Sequence, residues 1–385
     1  MLDKPLLVFT FPNVMGGVAS FNFNIINFSS LKSKFYIKVI LIKEEEDKRP
    51  PFKDAFLVDE VIHFSYSRKE NKYFVEKRLN KLIDQKDGAI VTDNEISICA
   101  ARRFNNPKTI FHLLHDFFYV KQHLQLEKYI DNAVAHSSFF TDAIYSSNPG
   151  KWLNHNFYLP YGVQKQHINL SGKNQKNLNL VFLGRLENSK GVLSLIEIEK
   201  KLIKQNVCVN WSIIGKGVCK DELLIQWSNK SNINFFETEN TTDVFHILSN
   251  QDLFIFPTTF EGTPVSILEN LACGVIPIVN DLPGGIKDIV INDIGFRCTL
   301  NNLDEFVNNI ILLDRNRNLL CSMQQNCIKH FESYFDIEKN ADEYFKLFSN
   351  YSSLKNSSTI TSNVMLSKLD RPYIPNFITK LLRNL

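Results

Sequence analysis

The stretch Asp252–Asp288, DLFIFPTTFEGTPVSILENLACGVIPIVNDLPGGIKD, decides the fold. Asp252 to Pro257 is a short apolar run that Pro257 ends, the pattern of a buried strand. Thr263 stands where a helix N-cap would be, and Pro264 suits the first helical position. Ile267, Leu268, Leu271 and Ala272 then recur on one helical face, and Gly274 fits the C′ position that closes it. Val275 to Val279 reads as the next buried strand, and Pro283-Gly284-Gly285 turns the chain again. Strand, loop, helix, strand is the repeating unit of a parallel α/β sheet, which binds ligands outside the carboxyl ends of its strands.

Two carboxylates frame this unit. Glu261 lies in the loop at the carboxyl end of the first strand. Glu269 lies further along the helix, on a face that can point back toward the same crevice. The N–H groups of Val265 and Ser266, at the helix start, form an anion site. An anion cradle between two hydrogen-bond acceptors suits a phosphate with hydroxyl groups on either side, as in a nucleotide sugar. An ordinary capped helix with a solvated Glu is the alternative reading of the window taken alone.

The run Phe260–Val279, FEGTPVSILENLACGVIPIV, resembles the donor-site signature of the family-4 glycosyltransferases, retaining enzymes of the two-Rossmann-domain (GT-B) type. The shared pattern is Glu, seven residues, Glu, then a Gly-x-Pro variant. Asn270 stands where Ala is more usual and Asp288 where Glu is, and neither change removes a ligand-binding group. The resemblance spans about residues 5 to 348. It implies two Rossmann-like domains with parallel sheets, facing each other across a cleft.

The totals agree with such a fold. At 385 residues the chain is long enough for two domains, and its 44% hydrophobic and 22% charged residues are those of packed globular proteins. A formal net charge of +3 is too mild for a nucleic-acid partner. The seven cysteines are scattered without metal-ligand spacing, as core thiols in a reducing cytoplasm would be. No charged segment followed by an apolar run, and no long uncharged apolar run, is present, so neither a signal peptide nor a spanning helix is read.

In the first half, Leu6 to Thr10 is a strand that feeds Gly16-Gly17 and a helix with Phe21, Ile25 and Ile26. Such glycines allow backbone to approach a phosphate closely. They resemble the family's N-terminal glycine loop, which faces donor diphosphate and acceptor. The absence of G-x-G-x-x-G counts against a dinucleotide cofactor. Arg68–Lys86 is an amphipathic helix with excess Lys and Arg, either a solvated face or a contact for anionic lipid. Thr109 to Leu114 is a strand followed by His115, and by resemblance His115 is the polar residue placed at the reaction centre. His112 and His136 read as packing residues.

VQKQHINLSGKNQKN, from Val163, is polar and aperiodic, an interdomain linker. Asn179 to Leu183 begins a new α/β unit in which Arg185 and Lys190 sit where the strand's carboxyl end meets its helix. Cations there can neutralise a diphosphate, and they match the family's Gly-Arg…Lys-Gly signature. Gly215 follows in the next strand-end turn. The expected domains are 1–165, completed by a helix at about 335–350, and 166–334, with 351–385 a loosely ordered tail.

The resemblance implies transfer of a sugar, from a UDP-hexose or UDP-N-acetylhexosamine, to a hydroxyl of a lipid-linked or oligosaccharide acceptor with retained configuration, in polysaccharide, lipopolysaccharide or capsule synthesis. Glu261, His115, Arg185 and Lys190 would act at the reaction centre. Gly16, Gly17, Arg185, Lys190, Gly215, Glu261, Gly262, Thr263, Val265, Ser266 and Glu269 would hold the donor. No Asp-x-Asp triplet is present, and no metal or other cofactor is expected. A cytoplasmic location, peripheral at the inner membrane face, follows by the same association. A UDP-sugar 2-epimerase of similar fold and a non-catalytic nucleotide-sugar-binding subunit are the rival readings.

Overall fold

Two parallel sheets organise the chain, each in its own unit. The computed structural model describes residues 4–53, 55–167, 177–228, 230–237, 241–357, 359 and 367–384. The first unit comprises residues 1–161 and 337–385, and the second comprises 162–336.

The first sheet contains β1 (Leu6–Pro12), β2 (Tyr36–Glu44), β3 (Glu60–Tyr66), β4 (Gly88–Thr92), β5 (Thr109–Leu114), β6 (Asn132–Ala135) and β7 (Asn156–Tyr158). Their order is β3-β2-β1-β4-β5-β6-β7, and every pairing is parallel. The order reverses direction between β1 and β4, which pair through Leu6↔Gly88 to Thr10↔Thr92. A reversal leaves two neighbouring strands whose loops run to opposite faces of the sheet, and the gap between those loops is a crevice. The inner strands are apolar on both faces because helices cover both: β1, β4 and β5 are buried almost throughout.

The second sheet repeats the plan with β8 (Leu178–Leu183), β9 (Val209–Ile214), β10 (Ile233–Phe236), β11 (Leu253–Phe256), β12 (Ile276–Asn280) and β13 (Phe296–Cys298). Its order is β10-β9-β8-β11-β12-β13, again all parallel. Here the reversal lies between β8 and β11, paired at Leu253↔Leu180 and Phe254↔Val181.

The helix Ile337–Ser349 belongs to the first unit. Its Phe348 meets Phe9 and Phe111 edge-on, with ring centroids 6.1 and 5.2 Å apart. Its buried Tyr344 donates its hydroxyl to the Leu159 carbonyl at 2.9 Å.

Several expectations need correction. The basic amphipathic helix runs from Lys72 to Ile83, four residues shorter at its start than read, because Asn71 caps it by accepting the Tyr73 N–H at 3.0 Å. The C-terminal tail is not loose over 367–384. It holds a helix, Asn376–Leu382, fixed to the first unit by buried polar groups. Of the linker, residues 168–176 lie outside the described residues, as do 358 and 360–366 of the Ser/Asn/Thr-rich stretch. Among the described residues no helix is long and apolar enough to cross a membrane.

Candidate functional site

In the second unit the sheet reversal sets the loop after β8 beside the loop after β11. Gly191, in the left-handed region at φ 70°, ends the turn Asn188–Lys190. A Cβ there would come within 1.9 Å of the Pro257 carbonyl oxygen, so only glycine lets the two loops lie this close. The Ser189 carbonyl accepts the Thr259 N–H at 3.0 Å and the Thr258 hydroxyl at 3.2 Å. The loop after β9 joins them at Gly215, where a Cβ would stand 1.9 Å from the Gly184 carbonyl oxygen. The loop after β12 completes the wall: Gly285 N–H donates to the Gly262 carbonyl at 2.8 Å.

This lacing brings the charged residues together. Lys190 Nζ donates to Glu261 Oε1 at 2.5 Å, and Thr258 Oγ1 donates to the same oxygen at 3.0 Å. Burial raises the Glu261 carboxyl above its usual range, opposed by Lys190, Thr258 and Arg185. Lys190 also lies over the Phe256 ring, 5.8 Å from its centroid. Lys190 and Glu261, expected to meet different parts of a ligand, are therefore joined to each other. Arg185 is exposed and pairs with Glu187 at 2.7 Å. Glu187 and Thr258 were missed from sequence. The available signals were their spacings, two residues after Arg185 and three before Glu261, which only the fold turns into contacts.

The helix after this loop runs Val265–Ala272. Its N-cap is Pro264 rather than Thr263, because Pro264 has φ −74° and ψ 110°, an extended conformation, and so flanks the helix. Thr263 is buried against Gly285. Pro264 has no N–H to offer, and among the described residues the Val265 and Ser266 N–H groups meet no acceptor in the chain. They stand as the open amides the sequence indicated. The C-terminus ends in a Schellman arrangement, Gly274 N–H to Leu271 O and Val275 N–H to Asn270 O, both 2.9 Å. Asn270 is buried and donates back to the Ser266 carbonyl at 2.8 Å. Glu269 is half-buried, and its carboxylate has no hydrogen-bond or ionic partner among the described residues. Desolvation pushes it up to about 7. The helix thus carries an unpartnered carboxyl and two open amides.

The first unit carries Gly16 at the N-cap of the helix Gly17–Phe28, and a Cβ at Gly16 would meet nothing within 4 Å. His115 follows β5 and is buried at 4% exposure. Its Nδ1 hydrogen-bonds the Tyr161 hydroxyl, its Nε2 lies 3.4 Å from Asp93 Oδ2, and its ring stacks on His136 with centroids 5.1 Å apart. Burial raises the Asp93 carboxyl, with His115 opposing. His112 and His136 are buried, as read. Burial lowers His112 to about 3 and His136 well below its usual value, so both rings are neutral. A cavity of about 450 Å³ opens at the carboxyl ends of β3 and β4, with Tyr66, Arg68, Asp93, Glu95 and Tyr119 among its lining residues.

Among the described residues no group of three or more His, Cys, Asp or Glu is placed to hold a metal ion.

Comparison with known proteins follows the same division. Residues 163–330 match the model of the glycosyl transferases group 1 family. The UDP-Gal:alpha-D-GlcNAc-diphosphoundecaprenol alpha-1,3-galactosyltransferase of Escherichia coli is 27% identical over 182 residues, 46% of this chain and 46% of that protein. The chain thus spans under half of that relative's length. An uncharacterized glycosyltransferase of Haemophilus influenzae is 26% identical over 318 residues, 76% of this chain and 87% of that protein. Among solved structures, Anabaena HepE in complex with UDP superposes with a TM-score of 0.71 at 15% identity, covering 90% of this chain and 100% of that one. That likeness bears on the fold, which is GT-B. Through residues 163–330, within the second unit, the chain is similar to the glycosyl transferases group 1 family.

Proposed function

We propose that this protein is a retaining glycosyltransferase that moves a hexose or N-acetylhexosamine from a UDP donor to a hydroxyl of a glycan or lipid-linked glycan. The observation that carries the reading is the unpartnered Glu269 carboxylate beside the open amides of Val265 and Ser266 and the Lys190–Glu261 pair. Glu269 accepts the ribose hydroxyls. The amides, Arg185 and Lys190 receive the diphosphate, Arg185 as a planar fork and Lys190 as a point charge. Glu261, with the Thr263 backbone, holds the sugar hydroxyls.

In the reaction the acceptor oxygen forms the new bond to the anomeric carbon as the bond to the β-phosphate oxygen breaks. The acceptor proton passes to that leaving phosphate, and the attack comes from the same side, so configuration is retained. Charge growing on the phosphate is met by preorganised cations and amides. We propose on that ground that transfer needs no metal. Support for UDP and for a lipid-linked acceptor comes from the relatives: HepE was solved with UDP, and the Escherichia coli relative is named for a UDP-galactose donor and a diphosphoundecaprenol acceptor. Within the first unit, Tyr161 and Asp93 hold His115, which acts as a positioning residue. Such an acceptor places the enzyme at the cytoplasmic membrane face.

Calorimetric titration with UDP and with GDP, in the absence of added metal, tests the reading. Micromolar UDP binding that disappears in Glu269→Ala supports it. A folded protein that binds neither nucleotide overturns it.

A further inference from the structure

The helix Asn376–Leu382 is inside out. An amphipathic helix on a soluble protein turns its apolar face to the core and its polar face to water. Here the one buried residue of the helix is Thr379, whose hydroxyl donates to the Leu369 carbonyl at 3.0 Å. The apolar side chains face out: Tyr373 is 78% exposed, Phe377 71% and Leu381 62%, with Ile378 and Leu382 beside them. Within the helix the spacing 377, 378, 381 and 382 puts four of them on one face, and exposed Tyr373 lies in the turn just before it.

The helix is not lying loose on the surface. Polar bonds to the first unit fix it. Asn71 Nδ2 donates to the Arg371 and Ile374 carbonyls, both at 2.9 Å, and Asn71 N–H donates to Asn376 Oδ1 at 2.8 Å. Lys72 N–H donates to Asp370 Oδ1 at 2.7 Å. Asn376 Nδ2 donates to Glu70 Oε2 at 3.0 Å, and Arg383 pairs with Asp370 at 2.8 Å. Buried Asn71 and Asp370 thus spend their hydrogen bonds on holding the tail, which packs Leu369 and Ile374 in part and leaves Tyr373, Phe377, Ile378, Leu381 and Leu382 exposed.

Cations flank the apolar residues, with Arg383 paired to Asp370 and Lys72 3.9 Å from Glu95. The tail carries Lys368, Arg371, Lys380 and Arg383 against the single carboxylate Asp370. Lys69, whose amine hydrogen-bonds Asn384, and exposed Lys72 adjoin it from the first unit. An apolar patch with an aromatic residue and a basic rim matches an anionic bilayer, whose acyl boundary takes the Phe and Leu side chains and whose phosphates attract the cations. A second copy of the chain fits worse. A symmetric contact would set each basic rim against its own twin, and a face of two turns falls well short of the roughly 1,000 Å² a specific interface needs.

We propose that Tyr373, Phe377, Ile378, Leu381 and Leu382 form a membrane-docking face that seats the first unit on an anionic lipid surface. The site does not depend on the donor reading, and the two fail separately. The test is cosedimentation of the full chain with vesicles of phosphatidylglycerol and phosphatidylethanolamine, or of phosphatidylcholine alone, with UDP titration alongside. The variants are Phe377→Ser with Leu381→Ser, at exposed positions, and Lys368→Glu with Lys380→Glu. The expected result is salt-sensitive binding to the phosphatidylglycerol vesicles, about tenfold weaker in either double variant, with unchanged circular dichroism and UDP affinity. Equal binding of variant and parent overturns the proposal, as does equal binding to both vesicle types. Absence of vesicle binding by the parent also overturns it. If the parent then sediments as a dimer and the serine variant as a monomer, a second copy is the occupant instead.

Discussion

The two sheets share one topology and use their carboxyl edges in opposite ways. In the second unit the reversal between β8 and β11 exposes charge: Arg185 in solvent, Lys190 joined to Glu261, and Glu269 with no partner. In the first unit the comparable edge is closed. Asp93, His115, His136, Tyr161 and Tyr344 are buried in one aromatic and polar cluster, with Phe21 packed against His115 at 5.2 Å. One edge leaves polar groups exposed or, at Glu269, without a partner among the described residues. The other spends its polar groups on its own architecture and offers only the rim of a cavity. A fold shared by both halves therefore places a site without saying what the site does. That depends on which side chains are left unsatisfied.

Substitutions separate the two edges, and the largest effect is expected at Lys190. Lys190→Ala leaves the buried Glu261 carboxylate without its cation, so stability falls by about 3 kcal/mol in urea unfolding and UDP binding is lost. Adding Glu261→Gln should restore most of the stability and none of the binding. If the single variant is as stable as the parent, the pair is not a buried one.

Next comes His115→Ala. It opens a cavity in the aromatic cluster and leaves Asp93 and Tyr161 facing it, a cost of about 2–3 kcal/mol by the same measurement. UDP affinity should stay within twofold. A loss of nucleotide binding would show that the closed edge serves the donor directly.

Glu269→Gln carries a pH signature. The Glu269 carboxyl is raised from 4.5 to about 7 by burial, so the folded state holds its proton where the unfolded state has released it. Its contribution to stability is therefore unaffected below about pH 4.5, declines as pH rises to about 7, and stays low above. The Gln variant, free of that decline, should be more stable than the parent at pH 8 by about 1–2 kcal/mol, allowing for the water that reaches a half-buried group, and equal to it at pH 4. Thermal melts at the two pH values decide it. Equal stability at both would mean the carboxyl is fully solvated.

The smallest structural effect belongs to Arg185→Ala. Its ion pair with Glu187 is exposed, so stability should change by less than about 0.5 kcal/mol. UDP binding should still weaken by about tenfold. From sequence, Arg185 and Lys190 read as equivalent cations. The structure makes one half of an exposed pair and the other half of a buried pair, and unfolding curves of the two variants, compared directly, test that distinction.

Much of this was legible along the chain. The Asp252–Asp288 stretch gave strand, loop, helix and strand in order, because apolar runs, Pro257 and Gly274 act through neighbours in sequence. The open amides of Val265 and Ser266 and the closing residue Gly274 were likewise local properties. The cap shifted by one residue, to Pro264, because the choice rested on a backbone angle that the neighbouring loops set.

What the sequence by itself determined was the α/β class, the two-unit plan and the strand, loop, helix and strand of Asp252–Asp288, all consequences of periodicity and local backbone chemistry. Only the tertiary structure decided who meets whom. Lys190 lies 71 residues from Glu261, and their contact exists because β8 and β11 are neighbours at a sheet reversal. The burial of His115 depends on Tyr161 and Asp93 arriving from other strand ends. The tail read as loose because its apolar side chains find no core. Its order comes from Asn71, about 300 residues earlier, whose amide donates to the backbone of Arg371 and Ile374. Hydrogen bonds between residues so far apart leave no periodic trace in a chain, and burial, which sets the charge state of Glu269 and Asp93, is a property of the whole fold.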